Sequence, residues 1–208
     1  PTGPYQENRL LDVHRIHLLC GKYCGLDLIK CLYEFLDEDM IPDQKIKEFR
    51  RETYIDQNNH KGITEFKRIL NYYVSYKYRG FLIDEISKKF GYIFDSSKFY
   101  VSQKNLKKMS LAGNIIGSHS VNHPVMSKLK KLEQIKQIKN SFEFLEKIGC
   151  ITEKTYCHPY GGFHSFNSST IDILNSLKIE YGFNVESRDI DNSDLDHSIH
   201  FLPRYDCN

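Results

Sequence analysis

The spacing of apolar residues changes near residue 100, and this change constrains the fold more than any other feature of the chain. Up to that point apolar residues recur at three- and four-residue intervals, the period of a helix with one buried face. Leu26, Ile29, Leu32 or Tyr33, and Leu36 form one stripe within residues 10–41, which Pro42-Asp43 is expected to stop. Ile63, Phe66, Leu70, Tyr73 and Val74 form a second, and "RGFLIDEISKKFG" a third that ends at Gly91. Residues 10–100 are therefore expected to be mostly helical, with their many tyrosines and phenylalanines used in packing.

Beyond residue 100 short apolar runs alternate with helices. "NLKKMSLAGN" reads as a short helix ended by Gly113, and "NIIGS" as a strand. "KKLEQIKQIKNSFEFLEKIG" is an amphipathic helix with Leu132, Ile135, Ile138, Phe142, Leu145 and Ile148 on one side and Gly149 as its cap. "KTYC" is a strand, "SSTIDILNSLKI" a helix with a serine or threonine N-cap, "YGFNV" a strand, and "IHFLPRYD" contains another. This strand–loop–helix order is the grammar of a parallel α/β fold. Chemistry in such folds collects on loops at the carboxyl ends of strands, which singles out 117–124 and 158–166.

Composition narrows the classes. With 208 residues, 40% hydrophobic and 27% charged, the chain can bury the core of one ordinary soluble domain. A net charge of +2 does not call for nucleic acid or an anionic membrane as partner. Basic runs such as "KLKKLEQIK" read as solvated helix faces. No apolar run spans a bilayer and no secretory signal pattern occurs, so the expected location is cytoplasmic. The six cysteines lack a C-x-x-C spacing and read as reduced thiols. The first methionine is Met40, and the opening "PTGP" reads as the loop after a strand that the chain does not contain.

Within "GSHSVNHP", His119 and His123 stand four apart, with Pro124 directly after the second. Proline disfavours helix in the residue before it, so His123 is expected in an extended or turn geometry, unlike a helical H-E-x-x-H pair. A catalytic zinc needs about three protein ligands and an open position for water. His119 and His123 could supply two; the plainer alternative is a pair of polar residues in a turn.

"IIGSHSVNHPVMSKL", then an amphipathic helix, then "TYCHPYGGFHSF" resembles the NodB-homology polysaccharide deacetylases, carbohydrate esterase family 4. Over roughly residues 100 to 208 the order and spacing agree. His119, Ser120, His123 and Pro124 match the family's H-[ST]-x-x-H-P motif. Pro159, Tyr160 and Gly161 match R-x-P-[YF]-G, with Cys157 in place of the arginine. The segment "PTGPYQENRLLDVHRIH" resembles a branch of the family linked to bacterial surface sugars, in which residues 10–100 would be a helical insertion.

The resemblance implies one α/β domain over residues 1–208, a partial NodB-type deformed (β/α) barrel with a helical insertion over 10–100 and a βα core over 101–208. It implies metal-dependent removal of the acetyl group from an N-acetylated saccharide. His119 and His123 would hold a divalent metal, commonly zinc, and the backbone of Tyr160 would be an oxyanion donor. Pro159, Tyr160, Gly161 and Arg204 would line the substrate site. The family's T-F-D-D motif, source of the third metal ligand and the base, is absent, and no D-D pair occurs. It would lie upstream of Pro1, so this chain alone is expected to be weakly active or inactive. The rival expectations are a non-catalytic carbohydrate-binding member of the same fold and a plain structural domain. For the general acid, His197 in "LDH" competes with His200, expected on a strand. Arg204 could orient a base or pair with Asp206. Asp12, His14 and His17 fall on a helix expected to make ordinary polar contacts, and the role of His164 is open.

Overall fold

The computed structural model describes residues 1–42, 46–55, 57–97, 99–151 and 153–205. The chain divides into two compact units, residues 1–9 with 97–208, and residues 10–96. The first unit opens with a single short helix, α1 (Gly3–Glu7), before the chain enters the second.

The unit of residues 10–96 is helical. Its helices are α2 (Asp12–Lys22), α3 (Gly25–Phe35), α4 (Ile46–Glu52), α5 (Ile63–Arg68) and α6 (Tyr76–Lys89). Their buried faces meet in a core containing Ile16, Leu19, Leu28, Leu32, Phe49, Phe66, Leu70, Leu82, Ile83 and Ile86. The second expected stripe is buried throughout, from Ile63 to Val74, although α5 passes into a π-helical turn at Ile69–Tyr73.

The first expected stripe needs correction. Residues 10–41 form two α-helices, broken where Tyr23 and Cys24 are extended, and a short 3-10 turn at Glu38–Met40. Leu26 and Tyr33 are 47% and 57% exposed, while Gly25, Leu28, Cys31 and Leu32 face inward. The cause is a close backbone approach. A Cβ on Gly25 would lie 2.5 Å from the Lys61 carbonyl, so the start of α3 presses on the turn before α5 and sets the rotation of α3. Asp43, part of the expected stop, lies outside the described residues; α3 has already ended at Phe35.

In the other unit follow α7 (Gln103–Leu111), α8 (Lys131–Lys147), β1 (Thr155–Cys157), α9 (Ser168–Ser176), β2 (Tyr181–Phe183) and α10 (Asn192–His197). β1 and β2 pair in parallel, Tyr156 opposite Gly182. Ser118 bridges Tyr156 on one side and Leu202 bridges Phe183 on the other, both in parallel. The fold is thus α/β, with four chain segments side by side. Two of them, expected as the strands "NIIGS" and "IHFLPRYD", are reduced to bridges, the latter adding an antiparallel one between Arg204 and Glu186.

One face of this sheet carries Tyr156, which packs with Met126, Ile138, Phe142, Phe166, Ile173, Leu174 and Ile179. α8 and α9 cover that face, as a helix following each strand would. Leu132, assigned to the buried side of α8, is 74% exposed; it sits in the first turn, beyond the reach of this core. The cap of α9 is Asn167 rather than a serine or threonine. Its side chain accepts the Thr170 N–H at 3.2 Å, and the Thr170 hydroxyl accepts the Asn167 N–H in return.

Candidate metal and substrate site

Side chains alternate along a strand, so Ser118 shares the helix-covered face with its bridge partner Tyr156, and the Ser118 hydroxyl donates to Ser141 of α8 at 2.8 Å. His119 and Cys157 therefore belong to the opposite face. There the His119 ring meets the His123 ring edge-on, centroids 4.7 Å apart, and the His123 ring meets Tyr160 edge-on at the same separation. The two loops singled out in the sequence converge on this cluster.

His119 Nδ1 lies 2.6 Å from the Cys157 carbonyl oxygen. A carbonyl only accepts, so Nδ1 carries the proton and Nε2 presents its lone pair. This is the arrangement that orients metal-binding imidazoles. Burial pushes the His119 pKa down to about 3, which keeps the ring neutral at ordinary pH, the form a metal requires. The Arg204 guanidinium adds to that depression, so its charge acts on the His119 ring.

The backbone at this cluster is unusual. Ser120, His123 and Tyr160 have φ of 64°, 53° and 64°, left-handed values that residues with a Cβ rarely adopt. His123 is neither extended nor helical but sits in a left-handed turn, the turn alternative of the geometry expected from Pro124. The Ser120 hydroxyl, fully buried, accepts the His123 N–H at 3.0 Å and closes the turn. Gln137 of α8 accepts the Val121 and Asn122 N–H groups on one oxygen, at 3.2 and 2.8 Å. Such rare conformations persist where surrounding contacts over-determine them, and they concentrate at functional sites. On the other loop, the Gly161 φ is 71° and the Val185 N–H donates to the Gly161 carbonyl at 3.0 Å. Pro159 and Gly161 are buried.

Three contacts that build the site leave no mark in the sequence. Gln137 lies on the polar margin of an amphipathic helix, where nothing marks it as a loop clamp. The Thr2 and Gly3 N–H groups donate to the Ser120 and Val121 carbonyls at 3.2 and 2.9 Å, and a Cβ on Gly3 would lie 2.2 Å from the Asn122 side chain. "PTGP" is thus the strap that holds the histidine loop. Cys157 contributes its carbonyl, which no side-chain motif could announce.

Other candidates fall elsewhere. His197 lies at the exposed end of α10, not in a loop. His200 is 4% exposed, in a turn rather than a strand, with Nε2 bonded to the Ile179 carbonyl and its own carbonyl bonded to the ring of His158. Asp206 lies outside the described residues. In the helical unit Asp12 bonds Arg15 and Arg79, each at 3.2 Å, a structural ion network. The described cysteines, Cys20, Cys24, Cys31, Cys150 and Cys157, are free thiols.

Two imidazoles meeting in this way suit a borderline-soft divalent cation such as zinc. Among the described residues, however, no group of three histidine, cysteine or carboxylate side chains could hold a metal ion.

A family model described as polysaccharide deacetylase matches residues 57–182, a span that includes His119, His123 and Tyr160. Peptidoglycan-N-acetylmuramic acid deacetylase PdaC of Bacillus subtilis (strain 168) is 34% identical over 61 residues, which is 29% of this chain and 13% of PdaC. The chain thus matches only a small part of that relative's length. The solved structure of Streptococcus pyogenes deacetylase PplD in complex with acetate aligns with 99% of this chain and 86% of its own, at a TM-score of 0.47 and 15% identity.

Proposed function

As the chain belongs to the polysaccharide deacetylase family, we propose that it serves to hydrolyse the N-acetyl amide of a saccharide, on a partial deformed (β/α) barrel into which residues 10–100 are inserted. The observation that supports this most is the His119–Cys157 hydrogen bond, which turns a neutral Nε2 toward the face shared with His123.

His119 and His123 would hold a divalent metal, with zinc the best match. Bound there, it would act as a Lewis acid and lower the pKa of water. The third donor and the general base come from outside the described residues, so these residues taken alone bind metal weakly and turn over slowly. In the reaction, a water oxygen adds to the acetamide carbonyl carbon, the C–N bond breaks, and the amine leaves with a proton as acetate is released. The Tyr160 N–H donates to the oxyanion that forms as water adds. The Tyr160 ring flanks the sugar, and Pro159 and Gly161 shape the wall beside it. Arg204, whose charge acts on His119, orients the carboxylate that serves as base.

A second reading, a carbohydrate-binding member without catalysis, is favoured by the incomplete donor set. One experiment separates the two. The full-length product of the gene is incubated with N-acetylated oligosaccharides and zinc, and acetate is measured. The enzyme reading expects zinc-dependent release that His119→Ala abolishes. Glycan binding without acetate release, unchanged in that variant, would establish the binding module instead.

A further inference from the structure

The helical unit holds a buried cation with no acidic partner among the described residues. Lys67, on α5, is 7% exposed. Its ammonium donates to the Gln57 side-chain oxygen at 2.6 Å and lies 4.5 Å from the centroid of the Tyr54 ring. Both partners are neutral, and among the described residues no carboxylate forms an ion pair with it. A desolvated ammonium is costly unless a counter-charge or a full set of acceptors meets it. Here the acceptor is shared: the same Gln57 oxygen also accepts from the Asn59 amide at 3.2 Å. An ammonium has three N–H donors, so capacity remains.

Lys67 lines a cleft of about 280 Å³ together with His17, Cys20, Asn58, Asn59 and His60. Among the described residues no aspartate or glutamate lines it. His17, on the same lining, is held below its ordinary pKa by desolvation and then by the Lys67 charge. Desolvation likewise lowers the Lys67 pKa. Burial raises the Cys20 thiol to about 11, so it adds no negative charge. Its described lining thus offers one ammonium, two imidazoles and two amides, and no carboxylate.

We propose that this cleft in the helical unit binds a small oxyanion, the phosphate or carboxylate group of a small molecule, through Lys67, with His17 and the Asn58–His60 turn as further donors. The anion would supply a counter-charge to Lys67, and its oxygens would take the N–H capacity that Gln57 leaves over. The site stands on the helical unit alone and does not depend on the deacetylase reading.

The test titrates the full chain with inorganic phosphate and separately with acetate, following imidazole resonances by NMR and heat by calorimetry. Saturable shifts of His17 and His60, with His119 and His123 unmoved, are expected for one of the two anions. Phosphate alone identifies a phosphorylated ligand, and acetate alone a carboxylate ligand. Lys67→Met should weaken binding by at least about tenfold, and Lys67→Arg should largely keep it. Resonances of His17 and His60 that do not move with either anion, or binding unchanged in a folded Lys67→Met chain, would overturn the proposal. The imidazole readout on the unaltered chain decides the matter even if Lys67→Met does not fold.

Discussion

His119 is held through the main chain of Cys157, not through its thiol: Nδ1 meets the Cys157 carbonyl at 2.6 Å. The residue that replaces the family's motif arginine therefore keeps a role that any side chain could leave intact. Cys157→Ser should bind zinc within about threefold of the parent chain. His119→Ala should lose roughly 100-fold or more, since a ligand is removed outright. Competition with a chromophoric chelator reads both. Equal losses in the two variants would show that the thiol, and not the carbonyl, matters.

Gln137 sits on α8 but serves the histidine loop, accepting two of its N–H groups on one oxygen. Gln137→Ala leaves both donors to find water and should lower stability by about 1–3 kcal/mol in urea unfolding. It should also weaken zinc binding without touching a ligand, because the left-handed turns at Ser120 and His123 lose a clamp. Gln137→Glu, which keeps an acceptor, should restore most of both.

Gly161 meets two constraints at once. Its φ is 71°, and a Cβ there would lie 2.1 Å from Val185 Cγ2. Gly161→Ala should cost about 2–4 kcal/mol, the sum of left-handed strain and overpacking. Gly91 also has a positive φ, 62°, but open space around it, so Gly91→Ala should cost only the backbone share, about 1–2 kcal/mol. Urea midpoints of the two variants, measured side by side, check the difference.

His158 predicts how stability depends on pH. It is 1% exposed, stacked on Phe166 with centroids 3.9 Å apart, and burial lowers its pKa from 6.5 to about 4. Because the folded pKa is the lower one, the unfolded chain binds the proton more readily. The stability is complete above pH 6.5 and is lost as pH falls toward about 4. The loss from this one residue is about 3 kcal/mol at full extent. His158→Phe should flatten the curve between those pH values while lowering stability above pH 6.5 through the lost bond to the His200 carbonyl. An unchanged slope in that variant would refute the assignment.

The legible parts of this protein are those that short-range chemistry controls. Helices α6, α7 and α8 are followed by Gly91, Gly113 and Gly149, each with a positive φ, where a C-terminal glycine belongs. β1 and β2 lie where β-favouring runs are bounded by turns. His119, His123 and Tyr160 could be paired because their motifs leave neighbouring strands at the same end. What could not be read depends on partners distant in the chain. The rotation of α3 follows from Gly25 pressing on a turn far along the chain, so local periodicity assigned Leu26 to the wrong side. His200 carries the chemistry of an acid but is bonded to the Ile179 carbonyl, a fact of packing.

By itself, then, the sequence determined the α/β grammar of its second half, the helical character of residues 10–96 and the two imidazoles of the candidate site, because periodicity, capping and motif spacing act over a few residues. Tertiary structure alone decided which atom orients His119, which side chain clamps its loop, and that Lys67 is buried beside a cleft whose described lining holds no carboxylate. Each of these is a main-chain contact or a desolvation, and neither leaves a mark on residue order.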